Sequence, residues 1–153
     1  MRIEKLQGFL LAFENLNHGV NHGCTYAIYS MAGVESLQES VEKYFSSLKT
    51  SNTPLQSAAT WNIRMTSLGS EWQSILHKVI IHWFFEQEFS PQVDTWTMNA
   101  CAGQVINYLV SALGNCEVFE VFTDPPMWYE CTWQDFAIAT EKTKWLLHFG
   151  FSD

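Results

Sequence analysis

The sequence predicts an α+β domain, with about four helices in the N-terminal two-thirds packed against a C-terminal antiparallel β-meander. Three observations carry this. Before Gly114, apolar residues recur at three- and four-residue intervals in four separate segments. After Gly114 the chain changes to short runs rich in Val, Phe and Trp, several of them alternating. The length of 153 residues, with 47% hydrophobic and 16% charged side chains, suffices for one core. Residues 1–153 therefore read as a single domain, and a disordered or coiled-coil chain is excluded.

The first helix is marked by Ile3, Leu6, Phe9, Leu10, Phe13 and Leu16, with Gly19 placed to stop it. A turn-rich loop, Asn17 to Gly23, leads into a short strand from Cys24 to Met31. The second helix runs from about Glu35 to Lys49, with Val34, Leu37, Val41, Tyr44, Phe45 and Leu48 as its stripe. Glu39 and Lys43 sit one turn apart on its wet side. Ser51 to Pro54 breaks the chain. Thr60 to Thr66 then alternates strictly, with Trp61, Ile63 and Met65 on one face, the mark of a half-buried strand.

Ser70, Glu71, Trp72 and Gln73 fit a capping box opening the third helix. Trp72, Ile75, Leu76, Val79, Ile80, Trp83 and Phe84 form a wide stripe. Ile81 and Phe85 add apolar surface beside it, which predicts a central helix. Ser90-Pro91 ends it. The fourth helix spans about Thr95 to Leu113, closed by Gly114. Beyond it, Cys116 to Phe122, Trp128 to Trp133, and Phe136 to Thr140 read as strands, with a turn at Asp124 to Pro126. Trp145, Leu147, Phe149 and Phe151 alternate as a last strand. A mostly α alternative competes, with a C-terminal helix from Trp133 to Phe149, Thr132 as cap and Gly150 as C′. Ala137 and Ala139 favour that helix; the β-rich flanks favour strands.

Recognised chemical signatures are few. The apolar run Gly8 to Phe13 is short for a secretory signal, and no run approaches the roughly 20 residues of a spanning helix, so a cytoplasmic protein is expected. Cys24, Cys101, Cys116 and Cys131 form no C-x-x-C pair and read as free buried thiols, with no metal or other cofactor implied. His18 and His22 are four apart, but the glycines around them deny the pair a helix. His77 and His82 point to different faces of the third helix. His148 would serve as a general base only beside a nucleophile, and none is tied to it in sequence. There is no G-x-S-x-G, P-loop or G-x-G-x-x-G. Glu86 and Glu88 are ordinary helix-end carboxylates.

The anomaly is charge. The protein has 16 acidic and 8 basic residues, a net of −8, which argues against nucleic acid or an anionic membrane as partner. From Val79 to Glu141 there is no lysine or arginine, yet nine of the sixteen acids lie there. Solubility does not require excluding lysine; steering a basic partner does. The same stretch is rich in aromatic residues. Trp128, Tyr129 and Trp133 stand among Glu117, Glu120, Asp124, Glu130 and Asp135, the composition of a hot spot for an Arg- or Lys-rich partner. These eight are the candidate partner-binding residues.

The C-terminal 21 residues, Trp133 to Asp153, resemble the ending of some bacterial immunity proteins of contact-dependent growth inhibition and polymorphic toxin systems. Small size, acidity and many tryptophans fit the same profile. The resemblance implies a protein without enzymatic activity. It would bind a cognate toxin C-terminal domain, in many such systems a nuclease with a basic cleft, and block its active site or substrate access. Two other classes compete. One is a small cytosolic enzyme using His148 or His22 with a cysteine or carboxylate; the other is an adaptor or scaffold subunit.

Overall fold

A computed structural model describes residues 3–33, 35–48, 61–125 and 128–153. Val34 of the second stripe, the end of that helix at Lys49, the break at Ser51 to Pro54, Thr60 and Pro126 lie outside the described residues. The chain forms α1 (Ile3–Asn17), β1 (Gly23–Met31), α2 (Leu37–Ser46), β2 (Asn62–Ser67), α3 (Trp72–Phe85), α4 (Thr95–Leu113), β3 (Glu117–Asp124), β4 (Thr132–Ala139) and β5 (Lys144–Ser152). The five strands make one antiparallel sheet in the order β1-β5-β4-β3-β2. Strands β3, β4 and β5 are the expected meander, and β1 and β2 extend it on either side. The C-terminal helix alternative is thereby set aside.

Strand alternation sorts the core into two layers. One face of the sheet, with Tyr26, Ile28, Val118, Phe136, Ile138, Leu147 and Phe149, packs against Leu6, Leu10, Leu76, Ile80, Phe84, Val105 and Leu109 of α1, α3 and α4. The other face, with Met31, Val121, Ala137 and Leu146, packs against Val41 and Phe45 of α2. Helix α3 is central, as its wide stripe requires. Phe84 stacks on Phe13 of α1 at 4.1 Å between ring centres, and Trp83 stacks on Phe149 of β5 at 6.0 Å.

Local details depart from expectation in instructive ways. The Ser70–Gln73 capping box does not form. Gly69 takes φ +61°, residues 69–71 make a 3₁₀ turn, and α3 starts at Trp72 without a side-chain cap. The bond from Leu68 N–H to Val118 carbonyl holds the chain to β3 at this point. A true capping box stands instead on α2, where Glu39 N–H donates to Ser36 Oγ and Ser36 N–H donates to the Glu39 carboxylate, both at 3.2 Å. Lys43 accordingly pairs with Glu35 rather than Glu39. The two strands expected at Trp128–Trp133 and Phe136–Thr140 are one strand, β4, with Trp128 to Cys131 outside it.

The β1 edge of the sheet is covered by side chains. Along β1, Cys24 N–H donates to His18 Nδ1 (3.3 Å), Tyr26 N–H to Glu14 (3.0 Å), and Gln7 donates to Ile28 carbonyl (3.5 Å). Side chains of α1 and its following loop thus occupy the edge groups that would otherwise pair with another chain. Buried Asn17 closes the same corner. Its amide donates to Tyr26 hydroxyl (3.1 Å) and Phe84 carbonyl (3.2 Å), while Tyr26 donates to Trp83 carbonyl (2.8 Å). These are the end-of-helix carbonyls of α3, which have no partner within the helix. Replacing Asn17 with Ala leaves the Phe84 carbonyl without its partner in the core and is expected to cost about 1–3 kcal/mol of unfolding free energy, measured by denaturant melts.

Candidate functional site

Strand β5 is covered on both faces, so Leu146, Leu147 and Phe149 are all fully buried. His148 sits in the same run at 3% exposure, opposite Asp135 of β4, which has none. A polar pair at this depth must satisfy itself. His148 Nδ1 lies 2.6 Å from Asp135 Oδ1, and Nε2 lies 3.1 Å from Glu130 Oε1. Tyr129 donates its hydroxyl to Asp135 Oδ2 at 3.3 Å and lies 3.1 Å from His148 Nδ1. Gly150, two residues along β5, makes room: a Cβ there would overlap the Glu130 carboxylate. Glu130 Oε2 is buried without a hydrogen-bond partner.

Both ring nitrogens face carboxylate oxygens, which only an imidazolium satisfies, since it donates from both. Burial alone would push the His148 pKa down, but hydrogen bonds and charge from Asp135 and Glu130 outweigh it and hold the pKa up at about 9. Burial drives the Asp135 carboxyl upward, with His148 and Tyr129 pulling against that. The proton belongs on His148, because that state alone pairs both ring nitrogens. Burial also raises the Tyr129 phenol, which stays a neutral donor. As an imidazolium engaged at both nitrogens, His148 has no lone pair with which to act as a general base.

The eight candidate residues separate into three environments. Asp135, expected at the partner surface, is fully buried and already held by His148 and Tyr129, so it presents no surface to a partner. Glu130 is drawn in by the same histidine. Tyr129 packs edge-on against Trp61 (5.3 Å) and Phe45 (6.0 Å) and near Trp133 (5.2 Å); Trp133 donates to Thr123 hydroxyl. These two rings line the cluster beneath α2. Glu120 lies on the opposite face, bonded to Gln134, which in turn accepts from the Trp83 indole. Glu117 and Asp124 are exposed but stand at opposite ends of β3, about 23 Å apart at about 3.3 Å per residue. Trp128 is 65% exposed.

Topology then gathers residues that lie far apart in sequence. Asp124 ends β3 at the same end of the sheet where β1 and β4 begin and β5 finishes. Phe89, just after α3, stacks on Phe151 at that end (5.2 Å) and on His22 (4.3 Å). Cys131 N–H donates to the Phe151 carbonyl, so the α3–α4 and β3–β4 connections reach the same end of the sheet, the first from the α3 face and the second, through Tyr129, from the α2 face. Glu86, Glu88, Asp94, Asp124 and Asp153 are all exposed there, with Trp96 (78% exposed) and Trp128. Among the described residues no lysine lies at this end; the nearest described cation is exposed Arg64 of β2, which pairs with Phe122 two residues before Asp124 and lies over its ring. Lys144, Lys43 and Glu35 meet at the opposite end, where Met31 pairs with Lys144. Lys142 lies there too, in the β4–β5 turn, and Lys5 starts α1. Glu86, Glu88, Asp94 and Trp96 were absent from the predicted site, since only the chain path puts them at the same end of the sheet as Asp124 and Trp128.

The remaining chemical groups are accounted for structurally. His18 caps the β1 edge, and His22 stacks on Phe89 and bonds Asn17 carbonyl at 2.7 Å. His77 bonds Asn99 carbonyl (3.3 Å), and His82 lies beside Gln87 and Glu86. The four cysteines are free; Cys24 is buried, Cys101 and Cys116 half-buried, and Cys131, expected buried, is exposed. Burial pushes the Cys24, Cys101 and Cys116 thiols up, away from nucleophilic thiolate. Among the described residues no group of three or more His, Cys, Asp or Glu is placed to hold a metal ion, and no helix is long and apolar enough to cross a membrane. A shallow recess of about 330 Å³ lies between Cys116, Glu117, Thr140 and Glu141, far from His148. No protein-family model matches the chain, and comparison with curated proteins and with solved structures finds no match.

The ionic cluster makes stability depend on pH. His148 holds a proton more tightly when folded, near pH 9, than when unfolded, near 6.5. Its contribution is therefore complete below about pH 6.5 and lost as pH rises through 9, a decline of about 3 kcal/mol. Denaturant melts across this range are expected to show that slope in the wild type and to lack it in His148→Phe. That variant should also lose about 3–5 kcal/mol at pH 7, because it leaves two carboxylates buried without a counter-charge.

Proposed function

We propose that this protein is an inhibitor of a basic protein partner, of the kind represented by immunity proteins that neutralise a toxin domain. The observation that supports it most directly is the charge separation of the folded chain. Five exposed carboxylates and two exposed tryptophans share one end, while the described lysines lie at the other end or midway along α3. The carboxylates would accelerate encounter with a cationic surface, and the indole rings would supply the desolvated contacts that slow release. A nuclease toxin suits such a surface, because its substrate cleft must itself be positive to hold phosphates. The acids then occupy the place of the nucleic-acid backbone, and inhibition follows from blocked access, with no chemistry by the inhibitor. Trp128 and Asp124 keep the roles expected of them, joined by Glu86, Glu88, Asp94 and Trp96.

The test is association with a toxin domain encoded beside this chain's gene, followed by stopped flow at low and raised salt. Wild-type association should fall steeply with salt. The triple change Glu86→Lys, Glu88→Lys and Asp124→Lys should slow association by about tenfold or more with little effect on dissociation. Trp128→Ala should instead accelerate dissociation by roughly 30-fold, equivalent to about 2 kcal/mol. Binding indifferent to salt and to all four changes would remove this end of the molecule as the interface.

A further inference from the structure

Trp128 is exposed, yet its two successors are held by several contacts each. Tyr129 is pinned by its hydroxyl to Asp135 and by its ring between Trp61, Phe45 and Trp133. Glu130 crosses over Gly150 to reach His148. Cys131 N–H donates to Phe151 carbonyl at 3.0 Å, which fixes the segment's far end to β5. An exposed indole gains affinity for a partner only to the extent that it is held in place before binding. Two of the three anchors of this segment, through Tyr129 and Glu130, meet at the buried His148–Asp135 pair.

We infer that Glu130, His148 and Asp135 form a latch that holds residues 128–131 against the sheet, making Glu130 and His148 positioning residues for Trp128. This rests on the proposed function only for the use made of Trp128; the latch is a property of the free protein. Its two arms are unequal. The Asp135 arm is the shorter, is wholly buried, and is backed by Tyr129. The Glu130 arm is longer, lies nearer the surface, and has a carboxylate oxygen with no partner. A neutral imidazole donates from one nitrogen only, so loss of the proton keeps the Asp135 bond and releases Glu130. Every ionisable group that bears on the cluster argues the same way. Asp135 comes from β4, Glu130 and Tyr129 from the segment itself, Tyr44 from α2 and Tyr29 from β1; none supplies a second positive charge.

The latch is testable without any partner. Protein labelled with 5-fluorotryptophan gives one ¹⁹F resonance per indole, and Trp128→Phe identifies the one that belongs to Trp128. That resonance should move or broaden between pH 7 and 9.5, with the midpoint at which the His148 C2 proton titrates. In Glu130→Gln the charge that strengthens this arm is lost and only a neutral acceptor remains, and the pH 7 resonance should already shift toward that of the wild type at pH 9.5. Gly150→Ala should do the same without altering any charge, because its Cβ would overlap the Glu130 carboxylate and crowd His148 Nε2, the two ends of that arm. Should Gly150→Ala fail to fold, Glu130→Gln alone decides. A Trp128 resonance unaffected by pH while His148 titrates, or unchanged in Glu130→Gln, overturns the latch. Loss of partner binding in Trp128→Ala bears on the proposed function and leaves this result untouched.

Discussion

The structure depends on how β5 is buried. Helices α1 and α3 lie against one of its faces and α2 against the other, so a strand late in the chain becomes one of the most enclosed elements in the protein. Such a strand must be apolar on both faces, and Leu146, Leu147 and Phe149 meet that demand. His148 does not, and the fold accommodates it with charge. Asp135 must stand opposite it on β4, Glu130 must fold back from the preceding loop, and Gly150 must lack a side chain to admit Glu130. One buried imidazole thus dictates residues on β4, on β5 and in the β3–β4 connection. The cluster also sets strand register, because a shift of one residue would turn His148 toward α3 and part it from Asp135.

That arrangement costs stability as well as conferring it. Burying three ionisable groups is less favourable than an apolar core of similar volume, and retained buried ion pairs are better attested for specificity than for stability. Here the specificity has a visible object. The cluster ties the β3–β4 connection, which carries Trp128, to the rigid centre of the sheet. It links the buried centre of the sheet to an exposed indole. The rest of that end is assembled by topology: α3 and α4 join there, β3 and β4 join there, and the carboxylates of both connections share that end while the described lysines lie midway along α3 or at the opposite end.

Periodicity was the legible part of the sequence. Helices α3 and α4 and strand β5 could be read because their apolar stripes are long and their faces distinct. The alternation around Ile63 and Met65 placed β2 correctly for the same reason. Register and edges were illegible, since alternation says which face a residue occupies and nothing about what stands beside it. Asp135 therefore looked like a break between two strands and a surface acid, when it is the interior partner of His148. The available signal was a lone Asp and a lone His, each inside an otherwise apolar segment of the same predicted meander. The acid-rich end was half legible: the lysine-free stretch marked its composition, but only the path of the chain puts Glu86, Glu88 and Asp94 at the same end of the sheet as Asp124 and moves Glu117 away.

The central claim is that His148 is a buried imidazolium shared by two carboxylates. Long-range ¹H–¹⁵N correlation spectra of the imidazole ring, recorded from pH 6 to 10, test it most directly. The account predicts two protonated ring nitrogens at neutral pH and a midpoint near 9. A neutral tautomer at pH 7, with one unprotonated ring nitrogen, would contradict it.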